Sequence, residues 1–161
     1  MANDSGAPDQ GTVKRILDQA GLSYGTDGEG DLFAAWEGRR TYFLFLPWGE
    51  DAAGGRVFTV RTFYERPFRA EDRPALLDHL DVWHRGAMWP KVHTYPLEGG
   101  ELRLVSEAEL PIGPGVGVEQ FTVCLVAWVS AAGEFQEWLT ERLDAPPTAR
   151  AGRAARAGTK R

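Results

Sequence analysis

The apolar positions divide the chain into eight elements. Val13, Ile16, Leu17 and Ala20 fall at i, i+3, i+4 and i+7, one face of a short helix, and Gly21 stands where a left-handed residue would end it. Three strand-like runs follow at residues 31–36, 41–46 and 57–64, separated by Glu37-Gly38 and by Gly54-Gly55. The middle run, TYFLFL, is apolar on both alternating faces and predicts a central strand covered on much of both sides. Short spacers between the runs predict antiparallel hairpins.

Leu76, Leu80, Trp83 and Ala87 step by four, three and four, a second helix with Pro74 in its first turn and Gly86 and Pro90 at its end. Strands at 91–95 and 102–106 flank the turn signal Glu98-Gly99-Gly100-Glu101. The loop 111–117 leads into a last helix carrying Val118, Phe121, Leu125, Trp128, Ala132, Phe135 and Leu139, with an irregularity expected at Gly133. The order α-βββ-α-ββ-α predicts an α+β domain in which helices pack on a five-stranded antiparallel sheet.

At 161 residues the chain is long enough for one domain with its own core. The expected plan is a disordered segment at 1–10, a domain at 11–143 and a disordered basic tail at 144–161. The formal net charge of −5 is uneven. The tail has five basic residues against Asp144, so it carries +4, and the body carries −9. An acidic body repels phosphate, so nucleic acid is not an expected partner, except for a weak contact through the tail. A single cysteine, Cys124, excludes an intramolecular disulfide. The first residues lack the basic-then-apolar pattern of a secretion signal, and the apolar run 123–132 is about half a membrane span. A cytoplasmic protein without membrane contact is expected. Arginine outnumbers lysine fifteen to three, which points to a GC-rich genome.

Candidate chemistry is sparse. Gly113, Gly115 and Gly117 precede a helix, but Val118-Glu119 stands where a phosphate loop needs Lys-Ser/Thr. His79 and His84 are five residues apart, about 140° around a helix, and cannot share one ion without a kink. Asp81 and His84 are i, i+3 neighbours placed to interact on the helix surface. Cys124 lies in an apolar helix where a thiol is packing. No catalytic residue, cofactor or metal is expected. Six tryptophans are the stronger signal. Trp36, Trp128 and Trp138 read as core, Trp48 sits in a turn, and Trp83 and Trp89 flank the end of the second helix beside Pro90 and Lys91. Trp48, Trp83, Trp89 and Lys91 are the candidate partner-binding residues, since tryptophan is enriched at binding hot spots. The alternative is a small-ligand sensor or enzyme using the His79/Asp81/His84 region.

The stretch 76–91, LLDHLDVWHRGAMWPK, resembles the YbjN-like family, in which a helix runs into a Trp-Pro-Lys that opens the next strand. Trp89-Pro90-Lys91 matches, while Asp81 and His84 stand where asparagines are expected. Gly117-Val-Glu-Gln-Phe is similar to the family's glycine before the last helix, and the likeness spans about residues 11–143. The family's fold is similar to that of type III secretion chaperones. The resemblance implies a non-enzymatic bacterial regulatory protein, chaperone-like and homodimeric, that engages a protein partner.

Overall fold

In the computed structural model, which describes residues 6–48 and 55–144, helix α1 (Gln10–Gln19) starts from a reciprocal cap. The Asp9 carboxylate accepts the Thr12 backbone N–H at 2.8 Å, and the Asp9 N–H reaches the Thr12 hydroxyl. Most of the segments expected to be disordered, residues 1–5 and 145–161, lie outside the described residues.

The strands are β1 (Gly25–Thr26), β2 (Leu32–Trp36), β3 (Arg39–Pro47), β4 (Arg56–Tyr64), β5 (Phe68–Arg69), β6 (Lys91–Pro96) and β7 (Glu101–Ile112). All pairings are antiparallel. Five strands were expected and seven form among the described residues, because β1 and β5 have two residues each, too few to show a period. Leu102 pairs with Phe68 of β5 on one side and Pro96 of β6 on the other, and Glu107 pairs with both Arg61 of β4 and Lys91 of β6. Hence β5 prolongs the lane of β4, and the lanes run β1, β2, β3, β4 with β5, β7, β6. The last long strand also runs to Ile112, past the expected end at Ser106.

Helices α2 (Arg73–Gly86) and α3 (Val118–Asp144) complete the fold. No break occurs at Gly133. A Cβ there would lie 3.2 Å from Nη2 of Arg39, so the missing side chain makes room for that guanidinium, which hydrogen-bonds Gln136 at 2.8 Å.

The three helices pack on one face of the sheet. One core cluster joins Val13, Ile16 and Leu17 of α1 to Phe43, Phe58 and Val60 and to Phe121, Leu125 and Trp128 of α3. A second joins Leu80 and Trp83 of α2 to Tyr64, Leu104, Phe135 and Leu139. The rings of Phe58 and Phe121 are 4.5 Å apart, close enough for a tilted aromatic pair to add to their burial. Several buried polar groups on this face are paired: Thr41 and Thr62 share a 2.8 Å hydrogen bond, and Tyr64 donates to the Ala132 carbonyl at 3.0 Å with Ser106 Oγ 2.9 Å away, whereas the Trp128 indole N–H has no partner. Burial pushes the Tyr64 phenol well above its usual range.

The expectation that β3 is covered on much of both sides holds in burial, with Phe43 and Leu44 buried on opposite faces and Tyr42 and Leu46 half-buried, but described helices cover one face alone. Phe43 and Phe45 face the helices, while Tyr42, Leu44 and Leu46 alternate onto the other face, which carries no described helix. Flanking side chains still bury Leu44, Thr59 and Val105 there.

Candidate functional site

Two regions stand out, a corner between α2 and β6 and the open face of the sheet. At the corner, α2 ends at Gly86 and the chain turns through Ala87–Pro90 into β6. Trp83 is buried in the second core cluster, and its indole N–H donates to the Pro90 carbonyl at 3.2 Å. Its role is to hold the corner from beneath. Trp89 packs edge-on against Trp128 of α3, ring centroids 6.4 Å apart, and remains 42% exposed. Met88 beside it is 81% exposed. The pair is an apolar projection on a fixed base.

Lys91 lies two residues beyond Trp89 but points the other way, onto the open face. There its Nζ is 3.0 Å from Glu107 Oε2, and Arg61 Nε donates to Glu107 Oε1 at 2.6 Å. Burial pushes the Glu107 carboxyl up, but the hydrogen bonds and charges of Lys91 and Arg61 outweigh it and hold the group below its usual range. The hydrogen bond to Glu107 raises Lys91 in turn. Trp48 is 56% exposed beyond the end of β3, six residues and about 20 Å along the strand from the row containing Lys91. The structure therefore brings Trp83 and Trp89 together, sets Lys91 on the opposite face, and leaves Trp48 apart.

Asp81 pairs with Arg85 at 2.6 Å, not with His84. His84 Nε2 accepts the Val92 backbone N–H at 3.0 Å. Cys124 is part-buried beside the first core cluster. Among the described residues no group of three or more acidic, histidine or cysteine side chains is placed to hold a metal. No helix among them is long and apolar enough to cross a membrane.

The open face was missed as a site. It holds a hollow of about 500 Å³ whose floor includes Arg40, Tyr42, Arg61, Phe63 and Arg103. An aromatic ladder crosses it, with Phe33–Tyr42, Tyr42–Phe63 and Phe63–Tyr95 centroids 5.8, 5.8 and 6.2 Å apart. The alternation of aromatic and arginine residues in β3 and β4 was the available signal.

A family model described as "YbjN: Putative bacterial sensory transduction regulator" matches residues 9–141. The fold is similar to a crystal structure titled "YbjN, a putative transcription regulator from E. coli", with TM-score 0.58 and 15% identity over 75% of this chain and 83% of that one. Among curated proteins none matches.

Proposed function

The chain belongs to the YbjN family, and from that footing we propose that it is a non-enzymatic, cytoplasmic regulatory protein that acts by engaging another protein chain, beginning with a second copy of itself. The observation that carries this reading is the Met88-Trp89 corner. A methionine and a tryptophan side by side in water, backed by Trp128 and Trp83, are an expensive exposure for a protein that binds nothing. Trp83 supports the contact from below, and Lys91 and Trp48 lie outside its centre. In this proposal the 11–143 body makes the contact and the basic end from 144 onward is dispensable to it.

Light scattering tests the reading. The wild-type chain is expected to run as a dimer at micromolar concentration, and a chain ending at Asp144 should do the same. Met88→Ser with Trp89→Ser should be monomeric with an unchanged far-ultraviolet spectrum. A monomeric wild type refutes the homodimer, and a double variant that keeps the dimer mass refutes the corner.

A further inference from the structure

The hollow on the open face is built as a checkerboard. Tyr42 of β3 pairs in register with Arg61 of β4, and Arg40 of β3 with Phe63 of β4. One diagonal is therefore aromatic, Tyr42 edge-on to Phe63 at 86°, and the other is cationic. Arg103 of β7 adds a third guanidinium beside Phe63, two residues from its partner Val105.

The three cations differ in how they are held. Glu107 Oε1 holds Arg61 through Nε at 2.6 Å, which fixes the side chain where it lines the hollow. Arg40 lies over the Phe33 ring, 4.8 Å from its centroid. Arg40 and Arg103 form no ion pair among the described residues. The guanidinium forks of Arg40 and Arg103, beside the half-buried rings of Tyr42 and Phe63, fit a ligand with a flat apolar part and a compact oxyanion, because the fork matches phosphate in two parallel hydrogen bonds.

Size and rim narrow the class. A hollow of about 500 Å³ is in the range that holds a small molecule. Glu29 and Asp31 lie at one end and Glu65 at the other, so a strand of phosphates leaving in either direction would meet carboxylates. We propose that the Arg40, Tyr42, Arg61, Phe63 and Arg103 checkerboard binds a mononucleotide-sized aromatic phosphate, its ring on the aromatic diagonal and its phosphate among the guanidinia. The site lies on the sheet face opposite Trp83 and does not rest on the protein-binding role of the corner.

The test is calorimetric titration of the full chain at low salt with adenosine monophosphate, inorganic phosphate, adenosine and an eight-base single-stranded DNA. Adenosine monophosphate is expected to bind with a submillimolar Kd, and phosphate or adenosine alone at least about tenfold more weakly. Arg40→Glu with Arg103→Glu, both exposed side chains, should abolish binding while the melting curve stays cooperative. Arg103→Lys should retain part of it. The Met88→Ser/Trp89→Ser variant should bind as the wild type does, which separates this site from the corner. No binding of adenosine monophosphate overturns the proposal, as does equal binding of phosphate alone. Tighter binding of the DNA strand overturns it in favour of a nucleic-acid platform.

Discussion

His84 of α2 accepts through Nε2 the backbone N–H of Val92, 3.0 Å away, on the edge of β6 that no other strand among the described residues covers. Amide directions alternate along a strand, so the outward N–H groups of β6 belong to Val92, Thr94 and position 96. Position 96 is proline and has none. With Val92 occupied, Thr94 is left as the outward donor, and an edge so blunted is a poor template for strand addition.

Replacing His84 with alanine should therefore open this edge. The expected cost is about 1 kcal/mol of stability for a lost backbone hydrogen bond. Hydrogen exchange at the Val92 amide should accelerate, and the variant should aggregate faster than the wild type on gentle heating. An unchanged exchange rate at Val92 would show that the histidine protects nothing.

Glu107 predicts the shape of the acid limb of stability. Its folded pKa lies below the unfolded one, so its contribution is present above the ordinary carboxylate range and is lost as pH falls through the depressed value. Lys91 is the mirror case: its raised pKa contributes below the ordinary lysine range, and the contribution is lost as pH rises through the raised value. Glu107→Gln should lower stability by about 2 kcal/mol at neutral pH, since it removes the charge that both cations face and turns one of the two accepting oxygens into a donor. Denaturant melts at neutral and acidic pH should show the difference from wild type shrinking as the solution becomes acidic.

Trp83 and Trp89 should separate cleanly by what their loss does. Trp83→Phe removes the N–H that reaches Pro90 and leaves a gap beside Phe135 and Trp138, at an expected cost of about 2 kcal/mol. Trp89→Ser alone should cost under about 1 kcal/mol, because nearly half of its surface is already in water. Its effect should appear in the dissociation constant of the proposed dimer. Thermal melts and dilution-dependent scattering read the two separately.

Gly38 should resist any side chain. It turns the chain between β2 and β3 at φ +75°, and a Cβ there would lie 2.5 Å from Gln136 Nε2. Gly38→Ala should cost about 1–2 kcal/mol through backbone strain and a displaced Gln136, which also holds the Glu37 carbonyl at 3.1 Å. A melting temperature equal to wild type would contradict this.

The helices and the five long strands were readable because each carries a period: Leu76, Leu80 and Trp83 on α2, or alternate residues of VFTVRTFY on β4. The two-residue strands were not, since two residues hold no alternation. TYFLFL predicted cover on both faces but not what supplies it. Its second apolar set, Tyr42, Leu44 and Leu46, satisfies itself through cross-strand neighbours rather than a second layer of helices. The α2–β6 corner was legible from Trp83, Trp89 and Pro90, but the inward aim of Trp83 was not. The checkerboard requires knowing that Tyr42 stands opposite Arg61, and register is a property of two strands that neither contains by itself.

Helix α3 runs for 27 residues, about 40 Å, and supplies a wall to each core cluster: Phe121, Leu125 and Trp128 to one, Phe135 and Leu139 to the other. Neither half of the core can come apart without stripping a side from its neighbour. The two clusters are therefore thermodynamically yoked, and heat should melt them in one step, with the Trp128 and Trp83 environments lost at the same temperature.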